Sequence, residues 1–185
     1  MPPGKLPASG QIFPNSARTT EIAFAKLDTR GVSLDGFDCG EDGLNHFLAC
    51  EAADFGAKGL SATKLLVERK TLRAVGFYSI SPFCLARHFL ADEQLSYYDV
   101  PFPIPAWLIG RLAVDSQYQG IGLGALLLHD AIVNIRSRAY DGAGALVIVD
   151  AKNRAVRGFY KKYGFRSLNQ AGLKLARPVM ESSLS

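Results

Sequence analysis

The sequence predicts an α/β (α+β) fold, and three observations carry that prediction. Residues 107–115 form a short apolar run that ends at a turn signal, as a buried strand does, and 116–124 pack Gly120, Gly122 and Gly124 together. Leu123, Leu127, Ala131 and Ile135 then recur at intervals of four, with Asp130, Asn134 and Arg138 on another face, the pattern of an amphipathic helix. Second, residues 62–68 and 72–80 read as two strands joined by the charged turn Arg69-Lys70-Thr71. Third, Ala145-Leu146-Val147-Ile148-Val149 is a continuous apolar strand, expected to be buried on both faces, with a short helix over 153–162 after it.

The remaining elements follow in order. Residues 1–18, rich in Pro, Ser and Gly, read as a disordered leader ahead of a single domain over 19–180. Residues 21–27 are the first strand candidate. Asp38 stands in the N-terminal cap region of a helix in which Leu44, Phe47 and Leu48 repeat at helical spacing; Gly56 and Gly59 end it. Pro82, Pro101, Pro103 and Pro105 break the regularity of 82–105, where a short helix over 90–95 is expected. Residues 165–168 and 173–179 are two weaker strands, and the last six residues look frayed.

Composition excludes several classes. A chain of 185 residues has apolar content enough for one core, and no apolar run approaches the length of a membrane span. Met1 to Thr20 contain no apolar signal region, which leaves the cytoplasm as the expected location. Cys39, Cys50 and Cys84 are widely spaced without a CxxC pair, and His46, His88 and His129 show no ligand spacing. No metal is expected. The formal net charge is +4, but six basic residues and no acidic one fall between Lys152 and Arg166.

The strand, glycine loop and helix of 107–138 offer backbone N–H groups and a positive helix end to a diphosphate. A Walker loop would need Gly-Lys-Ser/Thr at the helix start, which is absent. A dinucleotide fingerprint over Gly120, Gly122 and Ala125 leaves only roughly 60 residues for the rest of a doubly wound domain. The pattern Gln/Arg-x-x-Gly-x-Gly/Ala is met by Gln119, Gly122 and Gly124. Here the chain resembles the GNAT superfamily of acyl-CoA-dependent N-acetyltransferases. The run Asn153-Arg-Ala-Val-Arg-Gly-Phe-Tyr-Lys-Lys-Tyr-Gly-Phe165 resembles that family's C-terminal motif, with Val156 where a smaller Ala is usual.

This resemblance implies a mixed, mostly antiparallel sheet of six to seven strands flanked by about four helices, and acetyl-CoA as co-substrate. It implies that Gln119, Gly120, Ile121, Gly122, Leu123 and Gly124 hold the diphosphate. Leu112, Ala113 and Val114 would line the pantetheine arm through their main chains, and Asn153 would also contact the cofactor. It assigns Tyr160 as the general acid that protonates the leaving thiolate, with Tyr163 as fallback. A phenol of pKa about 10 can do so in contact. Asp115, Glu68 and Asp150 are candidate bases through water, with nothing in the spacing to choose among them. A terminal α-amino group, of pKa about 7.7–8.0, would need little help from any of them.

Beyond the superfamily, Phe37-Asp-Cys-Gly, Leu44, Phe47-Leu48, Gly76-Phe-Tyr-Ser79 and Gly110-Arg-Leu-Ala-Val-Asp115 leading into Tyr118 resemble the TacT/AtaT-type toxins of bacterial type II toxin–antitoxin systems. That resemblance implies acetylation of the α-amino group of aminoacyl-tRNA, a ribbon–helix–helix antitoxin as partner, and a homodimer as an assembly the family adopts. On a helix over 153–162, Arg154, Arg157 and Lys161 share one face, with Ala155, Val156, Phe159 and Tyr160 turned inward or to the cleft. With Arg111 they are the candidate tRNA contacts, and the Arg136/Arg138 pair could extend the ridge. Acetylation of a small amine or a protein N-terminus is the alternative, and a non-catalytic GNAT-like binding module is a further one.

Overall fold

The computed structural model describes residues 12–15, 18–89, 102–168 and 172–180. Its strands are β1 (Ile12–Asn15), β2 (Arg18–Lys26), β3 (Ala62–Glu68), β4 (Ala74–Leu85), β5 (Ile104–Val114), β6 (Leu146–Asp150), β7 (Arg166–Ser167) and β8 (Lys174–Pro178). Its helices are α1 (Asp42–His46), α2 (Ala52–Ala57), α3 (Leu123–Gly142) and α4 (Arg154–Lys162). The strand order is β1-β2-β3-β4-β5-β6-β8-β7. The pairings of β1 with β2, β2 with β3, β3 with β4, β6 with β8 and β7 with β8 are antiparallel, and that of β5 with β6 is parallel. β1 adds one strand to the six to seven expected. It lies inside the stretch read as a leader, where Phe13 pairs with Thr20 and Ile12 with Glu21, so the leader contributes an edge strand. The chain divides into two compact units, and β4, β5 and α3 each pass through both.

The unit of Lys5–Ile80 with Arg111–Ala131 has its core in Phe47, Leu48, Leu65, Val67, Phe77 and Ala113. Phe37 meets Phe77 edge-on at 5.8 Å between ring centroids, and Phe47 stacks on Phe77 at 6.1 Å. A π turn, Phe47–Glu51, joins α1 to α2. It lets Phe47 and Ala52, five apart, both sit at 1% exposure, a spacing that an unbroken α-helix would rotate out of register. Asp38 does not cap α1. Its Oδ1 accepts from the Gly40 N–H and from Asn45 Nδ2, both at 2.8 Å, while α1 begins after Glu41 with no side-chain cap. The turn closes early because Gly40 takes a φ of 79°, which glycine adopts without strain.

The unit of Ser81–Gly110 with Ile132–Ser185 buries Leu85, Ile104, Leu146, Ile148, Leu168 and Ala176 together. Val147, Ile148 and Val149 are fully buried, as the unbroken apolar run predicts. The parallel ladder runs from Ala106–Leu146 to Ile109–Val149, and β5 continues beyond it to Val114. β4 does not stop at Pro82 but reaches Leu85. Its register with β3 ends at Ala62–Ile80, so the N–H that proline lacks costs no rung of that ladder. The helix expected over 90–95 lies outside the described residues.

Candidate active site

The glycine loop is built from both ends. Asp115 opens it: its carboxylate accepts from the Gln117 N–H at 3.0 Å and caps a 3-10 turn at Ser116–Tyr118. Asp115 is 1% exposed, and Arg73 Nη2 lies 2.8 Å from its Oδ2. The Ser116 N–H donates to the Asp38 carbonyl at 2.8 Å. Gln119 sends its side-chain Nε2 to two carbonyls, Val114 at 2.9 Å and Cys39 at 3.1 Å. Its amide therefore ties the end of β5 to the segment ahead of α1, a structural use that its place in the motif did not reveal.

Gly120 and Gly122 take φ values of 80° and 92°, the left-handed region that glycine adopts without a Cβ penalty. Ala125 and Leu126 both donate to the Gly122 carbonyl, at 3.1 and 3.2 Å, so the first turn of α3 closes on Gly122. The N–H groups of Leu123 and Gly124 at the helix start have no carbonyl one turn back inside α3 to accept them. They lie at the positive end of a 20-residue helix. Leu123 is buried and Ile121 is partly exposed. On β5, Ala113 and Val114 are buried and Leu112 is half-buried. Gly76 backs this strand: a Cβ there would stand 3.1 Å from the Ala113 carbonyl and 3.0 Å from Leu127.

The second candidate element is α4. Asn153 is its N-cap, and Oδ1 accepts from the Val156 N–H at 2.9 Å. The cap takes up one acceptor site of that oxygen. Tyr160 is 6% exposed, with its ring between Phe159 at 5.2 Å and Phe165 at 5.6 Å. Its hydroxyl bonds to no other described residue. Burial, reinforced by the charge of Asp150, pushes the phenol up to about 12, so it holds its proton throughout the neutral range. Tyr163 packs on Phe159 at 5.2 Å and ends the helix. Arg154 and Lys161 are exposed and Arg157 is half-buried. Ala155, expected to point inward or to the cleft, is exposed, so of the two only a place on an open surface is left to it. It follows the cap in the first turn, before the apolar face of Val156, Phe159 and Tyr160 begins.

The other candidates separate by their partners. The Arg111 guanidinium carbon stands over the Phe47 ring at 3.6 Å from its centroid, with Glu51 at 4.0 Å. Arg136 donates to the Val179 carbonyl and Arg138 to Asn134, both at 2.9 Å. Among the candidate bases, Asp115 is sealed in its ion pair. Glu68 accepts from Tyr118 at 2.6 Å and from Thr71 at 2.8 Å. Asp150 pairs with Lys174 at 2.6 Å but remains 53% exposed. Sequence reasoning did not find Arg73, which enters no motif.

Residues 72–167, which carry both the loop and α4, match the acetyltransferase (GNAT) domain. The chain belongs to the GNAT acetyltransferase family. A tRNA-acetylating toxin of Mycobacterium tuberculosis (strain ATCC 25618 / H37Rv) is 33% identical over 132 residues, 71% of this chain and 77% of the toxin. The structure of AtaT complexed with acetyl-methionyl-tRNAfMet superposes with a TM-score of 0.76 at 27% identity, covering 85% of this chain and 94% of that one. A Tyr-to-Phe variant of the toxin AtaT bound to the C-terminus of the antitoxin AtaR and acetyl-CoA gives a TM-score of 0.70 at 26% identity, covering 85% and 92%. No helix among the described residues is long and apolar enough to cross a membrane.

Proposed function

We propose that this GNAT acetyltransferase moves the acetyl group of acetyl-CoA onto the α-amino group of aminoacyl-tRNA, and so withdraws charged tRNA from translation. The identity to a tRNA-acetylating toxin over 71% of the chain is the observation that carries this function. The loop supports the co-substrate: Gly120 and Gly122 at positive φ, and the unpaired first N–H groups of α3, fit a diphosphate. Main-chain groups of Leu112, Ala113 and Val114 take the pantetheine arm, and Gln119 and Asn153 serve by shaping the loop and α4. Acetyl-CoA, when bound, supplies an activated thioester carbonyl. A main-chain N–H of β5 would polarise that carbonyl as an oxyanion-hole donor.

As the neutral amine attacks, the C–N bond forms and the C–S bond breaks; Tyr160 gives its proton to the departing sulfur, and the proton shed by the amine returns to the phenolate through solvent. A phenol held near 12 cannot lose that proton to water at neutral pH, so the acid is always loaded. Asp115 and Glu68 are committed to structural bonds and Asp150 is paired with Lys174, so the half-exposed Asp150 would assist the amine only through water. An α-amino acceptor is substantially neutral near its pKa of about 7.7–8.0, which suits so sparse a set of bases. Arg154, Arg157 and Lys161, with Arg111, supply phosphate contacts. Location in the cytoplasm, where charged tRNA occurs, a ribbon–helix–helix antitoxin and a homodimer belong to the same function. The antitoxin is supported by the AtaR-bound relative.

The test is a competition with radiolabelled acetyl-CoA among charged tRNA, deacylated tRNA and a panel of small amines. Label entering charged tRNA alone is expected. Label entering a small amine, with charged tRNA left unlabelled, would overturn the assignment.

A further inference from the structure

Gly120 and Gly122, both at positive φ, leave the amide directions of 120–124 undetermined by local sterics. Something else must aim them. Downstream, α3 is held by Asp130, whose carboxylate takes Lys64 Nζ at 2.8 Å and the buried Tyr78 hydroxyl at 2.6 Å. Upstream, the loop is held by Asp115, Tyr118 and Gln119, and two of these three reach the same place. Asp115 pairs with Arg73 at 2.8 Å, and the Tyr118 hydroxyl donates to Glu68 Oε1 at 2.6 Å.

Glu68 ends β3 and Arg73 precedes β4, so the two stand on either side of one hairpin turn. The hairpin is itself braced. Thr71 donates to Glu68 Oε2 at 2.8 Å, and Arg73 donates to the carbonyls of Gly36 at 3.0 Å and Asp35 at 3.4 Å. Arg73 thereby joins three segments: the hairpin, the strand exit at Asp115, and residues 35–36. A carboxylate as buried as that of Asp115 is costly to leave without its cation, so it stays where Arg73 holds it.

We propose that Arg73 and Glu68 are positioning residues for acyl-CoA binding: acting through Asp115 and Tyr118, they set the direction in which the glycine loop presents its amides. Neither residue belongs to the loop or to α4. The inference rests on the loop being the diphosphate site of the proposed function. Only Ser116 to Tyr118 separate Asp115 from the anchored Gln119, so a shift at Asp115 passes directly into the glycines.

Isothermal titration with acetyl-CoA tests this on the full chain. Wild-type protein that fails to bind acetyl-CoA would refute the proposed function itself, whatever the variants do. With wild type binding, Arg73→Met should raise both the acetyl-CoA Kd and its KM on the order of 10-fold, and turnover at saturating acetyl-CoA should stay within about twofold. Arg73→Lys should recover part of the loss by returning a cation to Asp115. Tyr118→Phe, which leaves no charge unpaired, should raise Kd by about threefold. A purely structural role would lower the melting temperature and leave Kd and KM where they were, which would overturn the proposal. Should Arg73→Met fail to fold, the double variant Arg73→Met/Asp115→Asn and Tyr118→Phe decide by the same criterion, an unchanged Kd again counting against it.

Discussion

In the glycine loop Asp115, Tyr118 and Gln119 each bond to a group elsewhere in the chain, whereas the side chains of Arg154, Arg157 and Lys161 on α4 bond to no described residue. The contrast matches two kinds of ligand. A diphosphate on main-chain amides is recognised by direction, and amides that must be aimed need fixed neighbours. A nucleic-acid backbone is recognised by charge, and long cations that follow it lose little by being loose beforehand. On the proposed function, fixed anchors stand where direction would be read, and unbonded cations where charge would be.

Substitutions that separate chemistry from binding should sharpen that comparison most. Tyr160→Phe should lower turnover by about 10²–10⁴-fold while acetyl-CoA binds as before. Stopped-time assays with a parallel titration check both halves. Next, glutamate at Arg154, Arg157 and Lys161 together should weaken tRNA binding and flatten its salt dependence, each lost phosphate contact removing about one unit of slope. The acetyl-CoA Kd should not move, because the loop has its own anchors. An unaltered salt slope would break the comparison by removing α4 from the tRNA surface.

The pH dependence is a further discriminator. Because the folded Tyr160 stays protonated up to about 12, its ionisation should give turnover no descending limb between pH 7 and 11. The same shift stabilises the fold below the ordinary phenol value of about 10, and that contribution is lost as pH rises through 12. Two smaller effects complete the series. Gly120→Ala should cost about 1–2 kcal/mol through the left-handed backbone, read as a fall in melting temperature. Asn153→Ala should cost about 1 kcal/mol by releasing the Val156 N–H at the α4 cap.

Much of this was legible in the residues. The unbroken run 145–149 specified a strand buried on both faces, and the four-residue spacing from Leu123 specified α3. The glycines and the Tyr160 motif located the two candidate elements. What stayed hidden depends on partners far along the chain. The roles of Arg73 and Glu68 exist only once the β3–β4 hairpin meets Asp115 and Tyr118, some 40 to 50 residues later. Asn153 and Gln119 have side chains that serve caps and carbonyls as well as ligands, and motif spacing does not reveal the Val156 N–H or the Cys39 and Val114 carbonyls that they meet. The exposure of Ala155 depends on where α4 begins, a boundary that helical spacing does not fix. Asp38, a good capping residue by type, was diverted by the glycine two positions on.

The most direct measurement is mass spectrometry of the amino acid released by mild base from charged tRNA, after incubation with the protein and isotopically labelled acetyl-CoA. The account predicts an N-acetyl amino acid carrying the label, formed by wild type and scarcely at all by Tyr160→Phe. Free amino acid without label, or label found on the tRNA nucleotides, would contradict it.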